Sequence, residues 1–287
     1  MTDTVTKNDN GFAVPDFASE KERKRFYSSL HDADRIRVLN EIIRTSRHTV
    51  FLSGPGISTP CGVGNVRAIR DYKLSDGKKV RRYSAEYLLS TQCLSSDPEL
   101  FYKFFREKMD VREAEPSVTH KKLAEMEAAG MLDGVITVNT DSLHQKAGSR
   151  NVQEICGSVT ECRCDTCQVS YSSDLIFQST SAIPGCPVCA RLLRPMITLY
   201  GEMLPEEALG RAREMIDEAD CLITGGCSFR SDVTKSLVSR FKGKALVIIN
   251  PGKTKMDAKA DLLFHAGADR IMRQIETPTL TGRGNTL

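Results

Sequence analysis

No apolar stretch in this chain approaches the roughly 18 consecutive residues that a membrane-spanning helix requires. The first residues also lack the apolar core of a secretory signal, so the expectation is a soluble, cytoplasmic protein with no membrane partner. Charge of one sign is equally scarce: 40 Lys and Arg against 37 Asp and Glu leave a net charge of +3. That balance provides no electrostatic footprint for nucleic acid, which is not expected as a partner. Two locally basic runs, Lys21-Glu22-Arg23-Lys24-Arg25 and Lys78-Lys79-Val80-Arg81-Arg82, read as solvated surface. What remains is a 287-residue chain of 40% apolar content, enough for one large core with a smaller module inserted.

Four cysteines stand out in two close pairs, Cys164-x-x-Cys167 and Cys186-x-x-Cys189, with eighteen residues between the pairs. Each Cys-x-x-Cys turn can present two thiolates to one ion, and four soft sulfurs complete a zinc tetrahedron that leaves no position open for chemistry. Two disulfides are the competing reading, disfavoured because nothing marks the chain as secreted. Cys61, Cys93, Cys156, Cys162, Cys221 and Cys227 carry no metal spacing, and most read as small buried hydrophobes.

Short apolar runs alternate with longer segments of helical period, the pattern of a parallel sheet wrapped by helices. The runs 48–53, 134–139, 195–201, 219–225 and 245–250 are nearly continuous hydrophobes, as strands covered on both faces should be. Segments near 32–46, 117–129, 205–218 and 231–242 carry helical spacing, with Leu39, Ile42 and Ile43 as an example. The carboxyl ends of such strands are where ligands bind in open α/β sheets. Those ends carry Gly54-Pro55-Gly56-Ile57-Ser58-Thr59, Asn139-Thr140-Asp141, Gly225-Gly226-Cys227-Ser228 and Asn250-Pro251-Gly252. Glycines there let backbone approach a pyrophosphate, which suggests a dinucleotide. A plain tight turn accounts for Gly54-x-Gly56 equally well taken alone.

With the zinc module, these clusters make residues 30–275 resemble the sirtuin family of NAD-dependent protein-lysine deacylases. Ser53-Gly54-Pro55-Gly56-Ile57-Ser58 resembles the family's Gly-Ala-Gly-x-Ser loop, and Gly62-Val63-Gly64-Asn65-Val66-Arg67 stands in place of Gly-Ile-Pro-Asp-Phe-Arg. Val138-Asn139-Thr140-Asp141 stands for Gln-Asn-Ile-Asp and is followed by the close match Leu143-His144-Gln145-Lys146-Ala147-Gly148. Arg194-Pro195 leading to Tyr200-Gly201-Glu202 resembles the strand after the zinc module; Gly226-Cys227-Ser228 resembles Gly-Thr-Ser, and Ile249-Asn250 the adenosine-side strand end. The resemblance implies a Rossmann-like parallel-sheet domain with an inserted small zinc-binding module. It also implies NAD and one structural zinc as cofactors, and an acylated protein or peptide as substrate.

Carried over residue by residue, the resemblance implies an NAD site built from Gly54, Pro55, Gly56, Ser58, Thr59, Val66, Arg67, Val138, Asn139, Thr140, Asp141, Gly226, Cys227, Ser228 and Asn250. Asn139 and Asp141 would address the ribose and the nicotinamide amide, and Arg67 would order the cofactor loop. His144 is expected to have a structural hydrogen-bonding role. The expected organisation is a flexible tail over 1–25, a catalytic domain over 26–275 and a second tail over 276–287. Within the domain the zinc module lies at about 157–194 and the cofactor loop and helical segment at about 60–115.

The departures cluster in the catalytic centre. Cys156 occupies the place of the family's histidine, eight residues before Cys164, where a base would activate a ribose hydroxyl after nicotinamide has left. An ordinary histidine is largely neutral and basic at pH 7, whereas a cysteine is only a few per cent thiolate. General-base catalysis is worth about 10²–10⁴-fold. Pro55 removes an N–H from the phosphate loop, Asn65 and Val66 replace an acid and an aromatic ring, and Val138 replaces an amide. Three readings follow: a deacylase releasing nicotinamide and O-acyl-ADP-ribose; a protein ADP-ribosyltransferase or NAD-cleaving enzyme; and an inert module that binds NAD, ADP-ribose or acyl-lysine.

Overall fold

A computed structural model describes residue 15 and residues 17–75 and 80–278. Among these, the strands in chain order are β1 (Thr49–Ser53), β2 (Tyr72–Ser75), β3 (Val80–Tyr83), β4 (Gly134–Thr137), β5 (Val152–Glu154), β6 (Gly157–Cys164), β7 (Val169–Ser172), β8 (Leu193–Ile197), β9 (Cys221–Gly225), β10 (Ala245–Ile249) and β11 (Leu262–Phe264).

Six strands form one parallel sheet in the order β11-β10-β9-β1-β4-β5, so their carboxyl ends share one edge. Alternation decides which helices cover it. Phe51, Val247 and Ile249 face one cluster with Leu39 and Ile43 of the helix Asp32–Thr45 and Leu123 and Met126 of Val118–Ala128. Val50, Leu52, Leu246 and Ile248 face the other, with Ala212 and Ile216 of Glu206–Glu218 and Leu237 and Val238 of Asp232–Arg240. Both faces are covered, which is why these strands read as unbroken apolar runs.

The expected strand at 195–201 is the exception. It forms β8, which pairs antiparallel with β6 and joins β7 in a separate three-stranded sheet that carries the zinc cysteines. An apolar run shows that a strand is covered; it does not show which sheet claims it. The parallel sheet instead takes β5 and β11, three-residue strands with no apolar run long enough to announce them.

The second core lies between this small sheet and the helix Pro98–Lys108, which opens with Asp97 accepting from Leu100 N at 3.2 Å and Pro98 in its first turn. Its Phe101, Tyr102, Phe104 and Phe105 are fully buried, with Phe105 stacked on Phe177. Arg106 donates to the carbonyls of Ile176, Ser181 and Ala182, fastening the helix to the segment 176–182 between β7 and β8. β2 and β3 form a hairpin beside this helix.

A helix, Glu20–Ser29, begins inside the span 1–25 expected as an N-terminal tail and runs past it, and its Arg23 bridges to the buried Asp261 carboxylate at 2.7 Å. The first basic run is thus partly a docking surface. Lys78 and Lys79 of the second run, and the ends of both expected tails, lie outside the described residues.

Candidate active site and zinc centre

The four zinc-spaced cysteines converge, with all their sulfurs within 4.8 Å of one another. Bonds of about 2.3 Å to a tetrahedral zinc place sulfurs roughly 3.8 Å apart. Cys164 Sγ and Cys189 Sγ, one from each pair, lie 3.5 Å apart, far beyond a disulfide bond of about 2.05 Å. Cys167 N donates to Cys164 Sγ and Val188 N to Cys186 Sγ, both at 3.4 Å, so backbone amides aim the thiolates inward. The donor set fits one closed structural zinc, and all ten cysteines are free of disulfides.

At the carboxyl edge of the parallel sheet, the loops after β1 and β9 interlock. Gly54 N donates to Gly225 O at 2.9 Å and Gly56 N to Gly226 O at 3.0 Å. A Cβ on Gly54 would meet Gly226 O at 2.5 Å, one on Gly56 would meet Gly226 Cα at 2.8 Å, and one on Gly226 would meet Ile57 N at 2.6 Å. These glycines are required by backbone packed on backbone, a reason beyond the expected approach of a pyrophosphate. Pro55 opens a short 3₁₀ turn, Pro55–Ile57, where its missing N–H breaks no helical bond.

Asn139 closes the next side. Its Nδ2 donates to Gly54 O at 3.2 Å and Ser58 Oγ at 3.0 Å, while its buried Oδ1 has no partner. Such an acceptor, buried without a donor, is what a ligand hydroxyl or amide would satisfy. Pro55, Ser58, Val66, Arg67, Val138, Asn139, Thr140 and Asp141 line one cavity of about 60 Å³. A formed small-molecule site needs about 300 Å³ or more, so the cavity in this conformation is too small to enclose a dinucleotide, and the segment 63–67 forms one of its walls. Arg67 anchors that segment, donating to Thr198 O at 2.9 Å with its guanidinium 5.2 Å from the Tyr200 ring centroid.

Other expected residues lie apart from this cavity. Thr59 is exposed and its hydroxyl turns back to Pro55 O. Ser228 is exposed, and Asn250 Nδ2 donates to Gly252 O at the end of β10. Cys227 turns inward, its thiol facing Leu52 O and pushed up to about 12 by full burial, so only its backbone can serve the crevice. Cys156, held by Thr198 N donating to its carbonyl at 2.9 Å, packs into the core cluster beneath the sheet edge. Burial raises its thiol, with the charge of Arg67 opposing. Sequence reasoning missed Lys108, Met109 and Val111, which reach the cavity from the end of the helix Pro98–Lys108, and Val159 from β6. Their approach depends on tertiary packing and leaves no local signal.

Beneath the floor, His144 Nε2 meets Ser53 Oγ at 3.0 Å, and its ring lies 4.7 Å from that of His120. Burial, then His120, holds His144 down at about 3. A histidine of normal pKa in the unfolded chain takes a proton that the folded one refuses, so its contribution is complete above pH 6.5 and is lost as pH falls toward 3. Stability by urea unfolding should drop by up to about 1.4 kcal/mol per pH unit across pH 6 to 4 from this residue. His144→Gln should flatten that slope; an unchanged slope would refute the assignment.

The arrangement defines a dinucleotide-type crevice on a parallel sheet, with a zinc-stabilised module beside it. The profile of the Sir2 family matches residues 54–232. An NAD-dependent protein deacetylase of Clostridium acetobutylicum is 35% identical over 244 residues, 85% of this chain and 98% of that protein. One of Cutibacterium acnes is 36% identical over 234 residues, 82% and 94% of the two chains. A solved structure of Sir2 bound to an acetylated peptide matches with a TM-score of 0.72 at 32% identity, covering 84% of this chain and 96% of that one. A complex of Sir2 with a p53 peptide and NAD+ matches at 0.71, with the same identity and coverage. The chain belongs to the Sir2 family. Among the described residues no helix is long and apolar enough to cross a membrane.

Proposed function

We propose that the protein is an NAD-dependent protein-lysine deacylase, taking an acylated protein or peptide and releasing nicotinamide and O-acyl-ADP-ribose. The observation that carries this reading is the meeting of Asn139, Asp141 and Arg67 in one crevice, with the Asn139 Oδ1 acceptor buried and unpartnered, in a chain of this family. NAD, when bound, supplies the ribose carbon that the acyl oxygen attacks and nicotinamide as the leaving group. Asn139 and Asp141 would hold its ribose and nicotinamide amide. Ser228 would offer a hydroxyl donor along the strand ends, where Gly54, Gly56 and Gly226 give their own N–H groups to Gly225 O, Gly226 O and Ile249 O and serve by letting backbone come close, and Asn250 would mark the adenosine side. The reading keeps 26–275 as the catalytic unit, with a zinc module at about 157–194 and a cofactor segment at about 60–115. It places the protein in the cytoplasm, where ten unbridged cysteines suit a reducing medium.

Cys156 favours a second reading. A thiol raised by burial stays protonated at neutral pH more fully than an ordinary cysteine, which makes it a poor base for a ribose hydroxyl. The glycosidic step does not require that base directly, so nicotinamide release can outrun deacylation, giving an NAD-cleaving or ADP-ribosyl-transferring enzyme. Mass spectrometry of an acetyl-lysine peptide incubated with NAD separates the two. Cys156→His is expected to raise deacetylation by about 10²-fold or more while changing nicotinamide release far less. Nucleotide binding with no nicotinamide released by either protein would leave only a binding module.

A further inference from the structure

Four side chains outside the cavity form a continuous chain around the Cys156 turn. Ser142 Oγ donates to Glu154 Oε1 at 2.8 Å and lies 2.7 Å from Ser158 Oγ, which lies 2.7 Å from Thr160 Oγ1. Each hydroxyl has one proton to give. Ser142 spends its proton on the Glu154 carboxylate, so Ser158 must donate to Ser142 and Thr160 to Ser158. The chain therefore has a direction, set by the charge at its buried end.

Its placement gives that direction a consequence. Glu154 and Ser158 stand two residues to either side of Cys156, and Ser142 directly follows Asp141 of the cavity. One hydroxyl thus ties both flanks of the Cys156 turn to the cavity-lining loop. Ser142 does so from a left-handed backbone, φ 53° and ψ 22°, which residues other than glycine seldom adopt and which the surrounding contacts maintain.

We propose that Ser142 and Glu154 are positioning residues whose hydrogen-bonded chain holds the Cys156 turn against Asp141, in a geometry that depends on whether Glu154 is ionised. Glu154 is partly buried, and burial raises its carboxyl, opposed by hydrogen bonds from Ser142 and Gln145 and assisted by the charges of Asp141 and Glu161. The helix Glu206–Glu218, which packs on β5, has its Arg211 and Arg213 paired with Glu207 and Glu206. Arg67 acts on the Cys156 side. Once protonated, Glu154 can donate to Ser142, and every donor along the chain then reverses.

The turnover part of the test rests on the proposed function; the structural part does not. Peptide-resolved mass spectrometry would follow alkylation of Cys156 by iodoacetamide, which requires the turn to open because the residue is only 8% exposed. Nicotinamide release would be followed in parallel from pH 5.5 to 8.5. Ser142→Gly suits the left-handed backbone and removes the CH2OH group, and Ser158→Ala removes only a hydroxyl; each should speed alkylation at least tenfold, and Ser158→Thr should restore protection to within twofold. Glu154→Gln should abolish the one-proton acidic limb of nicotinamide release. Alkylation within twofold of the natural protein in both hydroxyl deletions, or an acidic limb that survives Glu154→Gln, would overturn the proposal. Should the natural protein release no nicotinamide, the functional reading fails and the alkylation rates still decide the chain.

Discussion

Replacing Gly157 by alanine is expected to destabilise the protein by more than about 4 kcal/mol, the range reserved for a few severe mechanisms. Two causes add. The residue has φ +74°, a left-handed conformation that costs an L side chain about 1–2 kcal/mol. A Cβ there would lie 2.1 Å from Met196 O and 3.1 Å from Ile197 Cα, both backbone atoms that cannot rotate away. Relief requires β6 to separate from β8 where Gly157 pairs with Ile197, next to the Cys156 turn. Gly62→Ala is the internal control: φ is +77°, with no atom within 4 Å of the added carbon. It should cost only about 1 kcal/mol. Urea unfolding of both variants measures the difference, and equal losses would remove the steric half of the explanation.

The second large effect is expected from zinc. Structural sites of this donor type contribute about 10–16 kcal/mol of apparent binding energy in small peptides, so removal should undo the small sheet that the ion joins. Elemental analysis should find one zinc per chain. A strong chelator, or Cys186→Ser, should expose the aromatic core shared by that sheet and the helix Pro98–Lys108. The fully buried Phe101 and Phe105 are its centre, so aromatic near-ultraviolet dichroism should fall with the zinc content. A protein that holds no zinc, yet keeps its dichroism and melting temperature under chelator, would contradict the site.

The zinc quartet and the central strands were legible for a common reason: both are written locally. Cys-x-x-Cys fixes two ligands within one turn, and 245–250 is a strand whichever neighbour it meets. Pairing is not local, so the apolar run 195–201 carries no sign that it belongs to the small sheet, and Val152–Glu154 carries no strand signal of its own. Family pattern located the loops that converge at the strand ends, yet position along the chain did not give side-chain direction. Cys227 shows the difference: it sits in the expected loop with its thiol turned into the core. The Ser142, Glu154 and Ser158 chain joins three segments through side chains alone, and a period or motif has no means of recording that.

The interlocked loops after β1 and β9 bear on how this protein can diversify. At Gly54, Gly56 and Gly226 the space for a side chain is already held by the opposite backbone, so a change at one loop cannot be accommodated by a smaller residue at the other: glycine is the smallest there is. A saturation library would therefore return these three positions as glycine in every folded clone. Gly64, with open space around it, would accept many residues. Variation in what the crevice holds is thereby channelled into the segment 63–67 and the strand-end side chains, while the seam between the two loops stays fixed across descendants of this sequence.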